Sequence, residues 1–94
     1  MKKTKSAQSE NKTYTDLIEA GKFYFVNGKF DKAIEEFNKA LKLNPNDPEI
    51  YYNLGLAYES KSKLDEARKM YEKAVEINPN YSLAKQHLSK LIGI

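Results

Sequence analysis

The chain has 94 residues, of which 40% are hydrophobic and 31% charged, and this composition fits one small globular domain rather than a disordered segment. It contains no cysteine, which excludes a disulfide framework and a cysteine-based zinc site and is compatible with a reducing compartment, so we expect a cytoplasmic protein. The net charge is +3, and no apolar run approaches the roughly 18 residues that a membrane-spanning helix needs.

The first segment in chain order, residues 1–13, is a polar tail without helical periodicity, and we expect it to be disordered. Four of the 16 lysines and arginines lie in it with one of the 13 acidic residues, so residues 14–94 carry 12 side chains of each sign. A nucleic-acid-binding domain concentrates basic side chains on its folded surface, so this neutral remainder argues against one. The basic start is followed by polar residues, which argues against a signal peptide.

Residues 14–94 show the spacing of apolar residues that is typical of amphipathic helices. Steps of three and four separate apolar positions such as Phe30, Ala33 and Phe37, while charged residues fall between them. Gly28 supplies a turn between the first two periodic segments. The pattern predicts an all-α chain with five helices, at about 14–27, 30–43, 48–60, 64–77 and 81–92.

Helix starts and stops support this assignment. Thr13 followed by Asp16 is typical of a capping box, in which two side chains satisfy each other's backbone N–H groups. Asp47 followed by Pro48 predicts a second start, because proline at the first helical position loses no hydrogen bond. We expect residues 78–80, Asn-Pro-Asn, to end one helix and begin the next in the same way.

The chain repeats itself with a period of 34 residues from Tyr14 onward. Shifting the sequence by that length gives ten identities within one repeat, and a fixed period in this range is the signature of a solenoid. The identical positions are Gly21 with Gly55, Tyr24 with Tyr58, Lys29 with Lys63, Asp31 with Asp65, Ala33 with Ala67, Lys39 with Lys73, Ala40 with Ala74, and residues 44–46 with 78–80.

This spacing resembles the tetratricopeptide repeat family, whose 34-residue signature combines a large residue, Leu-Gly, Tyr, Ala, Phe, Ala and Pro at set offsets. The usual tryptophan of the first signature position is replaced by Leu17 and Tyr51. The resemblance implies a right-handed α-solenoid with repeats at 14–47 and 48–81 and a C-terminal capping helix in 82–94. The matching residues are Leu17, Ala20, Gly21, Tyr24, Ala33, Phe37, Ala40 and Pro45, then Tyr51, Leu54, Gly55, Tyr58, Ala67, Tyr71, Ala74 and Pro79.

The small residues of the repeat have a physical purpose. A glycine inside a helix costs about 1 kcal/mol relative to alanine, so its occurrence twice at the same offset argues for packing. We expect Gly21 and Ala33, and again Gly55 and Ala67, to lie where two antiparallel helices cross. In the partial third copy Ser89 takes the place of the glycine, which favours a solvating cap over another packed pair.

The resemblance also implies a binding surface, because the first helix of each pair lines the concave face in this family. For Phe25 and Tyr52 the alternative is packing between helices, and the sequence leaves both interpretations open. Apolar and aromatic side chains beside a few polar ones are typical of a peptide-binding groove. The implied groove residues are Thr15, Ile18, Lys22, Phe25 and Val26, then Glu49, Tyr52, Asn53, Leu56 and Glu59, then Leu83, Gln86, His87 and Lys90.

One subclass of the family binds the C-terminal carboxylate of chaperones through Lys, Asn, Asn, Lys and Arg. The corresponding residues here are Ile18, Lys22, Asn53, Leu83 and His87, of which only Asn53 matches. Since two required lysines are replaced by aliphatic residues, we expect no carboxylate clamp and a more apolar ligand.

Catalysis has no support in the residues, and we expect no enzyme, metal or cofactor. His87 is the only histidine, and one histidine without cysteine builds neither a typical zinc site nor a convincing triad, so a surface or half-buried helix residue is the better interpretation. Three functions remain. The first is a protein–protein interaction module that binds a peptide or helix of another protein; the second is a self-associating protein that homodimerises through the groove or the open repeat end. The tail as a tether to anionic polymers or membranes is favoured least, and we expect neither nucleic acid nor membrane as partner.

Overall fold

A computed structural model describes residues 12–93, and every one of its regular elements is an α-helix. The predicted all-α class and the five predicted helices are confirmed, each end within one residue of its expected position. Residues 1–11, most of the tail that we expect to be disordered, lie outside the described residues, as does Ile94. The helices are α1 (Tyr14–Val26), α2 (Phe30–Leu43), α3 (Pro48–Ser60), α4 (Leu64–Ile77) and α5 (Ser82–Ile92).

The first two helix starts that the sequence predicts are present. At α1 the Asp16 N–H donates to Thr13 Oγ1 at 3.1 Å and the Thr13 N–H donates to Asp16 Oδ2 at 3.2 Å, which completes the capping box. At α3 the Glu49 N–H donates to Asp47 Oδ1 at 2.9 Å, and Pro48 occupies the first turn. The Tyr14 hydroxyl donates to the same Asp47 carboxylate, which ties the start of α1 to the start of α3.

The third helix start differs from the prediction. Asn78 Oδ1 accepts the Asn80 N–H at 3.1 Å, so residues 78–80 form the same turn as residues 44–46. The residue at the N-cap of α5 is Tyr81, however, where the preceding repeat has Asp47, and it offers no side-chain cap. The turn is therefore repeated but the cap is not, because a phenol cannot reach back to its own helix as a carboxylate does.

The turns inside the two helix pairs use the left-handed backbone region. Gly28 has φ of +75°, as expected of a glycine between α1 and α2. Ser62 lies at the equivalent place between α3 and α4, 34 residues later, and has φ of +60°. A non-glycine residue in this region is uncommon because its Cβ crowds the following carbonyl oxygen.

The helix crossings lie where the glycines predict them. Gly21 of α1 is buried under the ring of Phe37, and a Cβ at Gly21 would come within 2.7 Å of the Phe37 Cδ1 and Cζ atoms. Gly55 of α3 lies in the same way under Tyr71, with its hypothetical Cβ 2.6 Å from Cδ1. The paired alanines of α2 and α4 are fully buried, as are Phe37 and Tyr71 themselves to within 1%. The predicted close packing of each helix pair is confirmed.

Small residues also let one pair stack on the next. Ala40 of α2 packs in one buried cluster with Ile50 and Leu54 of α3, and Ala74 of α4 packs with Ala84 of α5. Tyr58 contacts both clusters and joins them into a continuous core. Among residues 12–93, no helix is long and apolar enough to cross a bilayer.

The outward side of α5 is more polar than the corresponding sides of α1 and α3. Lys85, which is exposed, takes the place of Leu17 and Tyr51, both of which pack in the core clusters. Ser89 takes the place of the two buried glycines. These replacements favour the proposed role of α5 as a solvating cap.

The contact between Gly21 and Phe37 generates a test of the packing. Exposed helix positions gain stability when glycine is replaced by alanine, but Gly21→Ala should lower the free energy of unfolding by about 1–3 kcal/mol, because the new methyl group overlaps a buried ring. Urea unfolding measures this change. The double variant Gly21→Ala with Phe37→Leu should lose less than the sum of the single changes, since leucine vacates part of the ring volume. A rise in stability for Gly21→Ala alone would contradict the packing.

Candidate functional site

All the predicted groove residues retain access to solvent, and none of them is fully buried. The α1, α3 and α5 helices supply them, and α1 and α3 also contact each other directly. Leu83 and Gln86 lie on the exposed side of α5, outside the two clusters described below. The exposed members are Thr15, Lys22, Val26, Glu49, Leu83, Gln86 and Lys90, and the half-buried members are Ile18, Phe25, Tyr52, Asn53, Leu56, Glu59 and His87.

An apolar pocket lies between α1 and α3. Its volume is about 210 Å³, and five predicted groove residues line it together with Phe37. Phe25 meets Phe30 edge to face with ring centroids 5.3 Å apart, so it both packs within its helix pair and lines the pocket. Val26 is 77% exposed at the rim. The lining residues are Lys22, Phe25, Val26, Phe37, Asn53 and Leu56.

One polar group in the pocket wall is unsatisfied. Asn53 Nδ2 is buried and has no hydrogen-bond partner among residues 12–93. Leaving a buried donor unpaired costs about 1–3 kcal/mol, so this amide would gain a hydrogen bond if its side chain turned toward an acceptor in the pocket. Lys22 at the rim is engaged elsewhere, since its Nζ lies 3.1 Å from Glu49 Oε2 across the α1–α3 boundary.

The second cluster is aromatic and centres on Tyr52. The ring centroid of Tyr52 lies 5.9 Å from that of Tyr71, 5.5 Å from that of Tyr81 and 5.6 Å from that of His87. These distances are typical of favourable aromatic pairs. The ring of Tyr52 therefore packs between helices and keeps part of its surface open to solvent, and its role in binding a ligand stays a prediction.

A hydrogen-bond network joins α3, α4 and α5 beside this cluster. The Tyr71 hydroxyl donates to Glu59 Oε1 at 2.7 Å, and His87 Nδ1 lies 3.3 Å from the same oxygen and 3.4 Å from the Tyr71 hydroxyl. Burial, and then the hydrogen bond to Glu59, raise the pKa of the Tyr71 hydroxyl well above its ordinary value. His87 is half-buried, as predicted, and no group of three potential metal-binding side chains occurs in the described part of the chain.

Carboxylates influence the other two tyrosines as well. Burial raises the pKa of Tyr52, and the negative charge of Glu59 raises it further. Burial also raises the pKa of Tyr81, with Glu49 as the next cause. The rings of Tyr52 and Tyr81 thus lie near the carboxylates of Glu59 and Glu49, of which Glu49 is paired with Lys22.

Sequence reasoning did not identify Phe37, Tyr71 and Tyr81 as part of this site. Phe37 and Tyr71 occupy equivalent core positions, and the only signal was the additional hydroxyl of Tyr71 in the second repeat. In the sequence pattern Tyr81 lies at a helix boundary, and its ring contact with Tyr52 depends on the angle between α3 and α5.

The raised pKa of Tyr71 predicts an alkaline loss of stability. Below a pH of about 10 the Tyr71 hydroxyl keeps its proton in both the folded and the unfolded protein. Above that pH the tyrosine ionises in the unfolded protein but not in the folded one, so the free energy of unfolding falls as pH rises. Tyr71→Phe should cost about 1 kcal/mol at neutral pH, because Glu59 loses a donor, yet lose less stability than wild type between neutral and alkaline pH. Urea unfolding at a series of pH values measures both effects. Identical pH dependence in the two proteins would contradict the assignment.

Comparisons with known families match most of the helical region. A profile described as TPR repeat matches residues 21–62, and one described as tetratricopeptide repeat matches residues 48–81. Together these matches cover residues 21–81, from Gly21 of α1 to the turn before α5.

Two solved structures are similar over nearly the whole chain. The first TPR of Spaghetti (RPAP3) bound to the HSP90 peptide SRMEEVD gives a TM-score of 0.81 with 31% identity, and covers 86% of this chain and 64% of that one. The second TPR of the same protein, bound to the same peptide, gives 0.73 with 25% identity, and covers 92% and 86%.

Curated relatives are similar over shorter stretches. The photosystem I assembly protein Ycf3 of Synechococcus sp. (strain CC9605) is 50% identical over 36 residues, which are 38% of this chain and 21% of that protein. The BBSome complex member BBS4 of Mus musculus is 40% identical over 53 residues, 56% of this chain and 10% of that protein. The matched stretch thus corresponds to about a fifth and a tenth of these proteins.

Proposed function

We propose that this chain, which belongs to the tetratricopeptide repeat family, binds a peptide segment of a partner protein in its concave groove. The observation that carries the proposal is the pocket between α1 and α3, which combines apolar walls with the unpaired amide of Asn53. Two structural relatives hold a peptide, SRMEEVD of HSP90, on the same architecture. A cytoplasmic location is part of the same proposal.

The chemistry of the pocket specifies the kind of contact. Apolar walls favour an aliphatic or aromatic side chain of the ligand, because burying it removes apolar surface from water. The amide donor of Asn53 favours a carbonyl oxygen next to that side chain, since a peptide backbone presents one at every residue. A peptide in an extended conformation supplies both groups together.

A free C-terminal carboxylate is not required by this groove. Two positions that carry lysine in carboxylate-clamp relatives are Ile18 and Leu83 here, and neither can bind an anion. Lys22 offers a positive charge, but Glu49 neutralises it at 3.1 Å. We therefore propose that the ligand is an internal segment of the partner rather than its C-terminus.

Val26 gives a cleaner test of the groove than Tyr52. Tyr52→Ala would also change the groove, but because Tyr52 contacts three other rings, a loss of stability is expected with it. Val26 is 77% exposed and lines the pocket, so its replacement changes the groove without opening the core.

Val26→Gln should weaken partner binding about fivefold to thirtyfold, because it removes apolar contact area from the pocket, and should change the free energy of unfolding by less than about 0.5 kcal/mol. Affinity capture from native lysate identifies the partner, and titration of the purified partner measures the affinity. Leu64→Gln is the matched control, since Leu64 is 50% exposed at the start of α4 and lies outside the pocket. Equal retention of every captured protein by both variants would refute groove binding.

Self-association is a second candidate, and Phe23 favours it. Phe23 is 61% exposed on α1, whereas Ala57, the equivalent residue of α3, is fully buried. An exposed aromatic side chain at a position that is buried in the next repeat is suited to a contact with a second copy.

Sedimentation velocity over a dilution series distinguishes this candidate. If the chain self-associates through the α1 face, the mean mass should fall on dilution, and Phe23→Gln should shift the transition to higher concentration, because the aromatic contact is lost. Val26→Gln serves as the control for association through the groove instead. A single monomeric species at all concentrations would eliminate self-association.

A further inference from the structure

The two halves of the groove differ in charge. Among residues 12–93, Lys22 is the one cation that lines the apolar pocket, and Glu49 pairs with it. Beside Tyr52 lies the carboxylate of Glu59, which contacts the Tyr71 hydroxyl and His87 and has no lysine or arginine within ion-pair distance among the described residues. After burial, its negative charge raises the pKa of Tyr52.

Glu59 is the groove carboxylate with the greater capacity for another partner. Glu49 is already paired with Lys22 through its Oε2. The Glu59 side chain is 32% exposed, and Tyr71 and His87 both approach its Oε1. A carboxylate can accept about four hydrogen bonds, so Oε2 of Glu59 can also bind a ligand cation.

We propose that this half of the groove holds a basic side chain, lysine or arginine, of the partner segment, beside the rings of Tyr52 and Tyr81 and paired with Glu59. The inference rests on the proposed peptide-binding function and specifies the ligand that the groove prefers. A cation is attracted to the face of a tyrosine ring and pairs with carboxylates at the same time.

The ligand proposed here has the opposite charge from the peptide that the structural relatives bind. SRMEEVD carries three acidic side chains and one arginine. In this chain Ile18 and Leu83 replace the lysines of a carboxylate clamp, while Glu49 and Glu59 remain in the groove. Like charges face each other when an acidic peptide enters, which costs affinity and lowers the association rate.

Three peptides of equal length, all acetylated and amidated, test the inference: the acidic SRMEEVD, the basic SRMKKVK, and SRMQQVQ, in which glutamine replaces the three acidic side chains. Binding to the full chain is followed by the amide chemical shifts of the isotope-labelled protein at low ionic strength. The basic peptide should bind roughly tenfold more tightly than SRMEEVD, with the glutamine peptide between them, and added salt should reduce the difference. Shifts should concentrate at Tyr52, Glu59 and Tyr81.

Charge-neutralising variants identify the responsible carboxylates. Glu59→Gln should reduce the preference for the basic peptide about twofold to fivefold, and Glu49→Gln should reduce it less, because Glu49 is already paired with Lys22. Glutamine at position 59 keeps an oxygen that can accept the Tyr71 hydroxyl, so the fold is retained. Glu72→Gln is the matched control, because Glu72 pairs with Arg68 on α4, away from the groove, and should leave the preference unchanged.

The outcomes separate this inference from the proposed function. Equal or tighter binding of SRMEEVD, or a preference that Glu72→Gln reduces as much as the groove variants do, overturns the inference. Equal binding of all three peptides with shifts confined to the groove overturns it while leaving peptide binding intact. If none of the three peptides shifts a groove resonance, the inference fails. The proposed function then fails as well only if Val26→Gln, like Leu64→Gln, retains every captured protein.

Discussion

The contact of an aromatic ring with a glycine, once in each helix pair, is the constraint on which the rest of the structure depends. Phe37 over Gly21 and Tyr71 over Gly55 bring the two helices of a pair so close that no side chain larger than hydrogen fits between ring and backbone. The ring covers only part of the first helix, so neighbouring side chains such as Lys22 and Val26 are not needed for that pairing. This leaves residues of α1 and α3 free to form a surface on which a ligand can be recognised.

The same contact links the core to the chemistry of the groove. Phe37 ends in a hydrocarbon edge that lines the apolar pocket, whereas Tyr71, its equivalent, carries a hydroxyl that donates to Glu59. The same contact of a ring with a glycine, formed once in each helix pair, therefore supports two different groove surfaces. Groove positions diverge in the same sense, since Phe25 and Val26 of the first repeat correspond to Glu59 and Ser60 of the second. One end of the groove is consequently apolar and the other aromatic and acidic.

Much of the fold could be predicted from the sequence because its determinants are local. Helical spacing, the Thr13 capping box, Pro48 and the 34-residue period each depend on neighbouring residues, and the structure agrees with them. The candidate site could be predicted from the sequence only in part. The resemblance indicated which helix faces line a groove, but the Tyr71–Glu59–His87 network and the unpaired Asn53 amide depend on side-chain rotamers and inter-helix angles, which tertiary packing sets. The same holds for the pairing of Tyr52 with Tyr81.

The left-handed backbone conformation of Ser62 affects which residues are tolerated at the turn inside each helix pair. At Gly28 any side chain introduces strain, whereas at Ser62 the strain already exists and removing the side chain would relieve it. The conformational freedom that glycine gains in the unfolded chain offsets part of that relief. A β-branched residue would be tolerated poorly at either tip, so sequence drift at these two turns is restricted to glycine, asparagine and similarly compact polar residues.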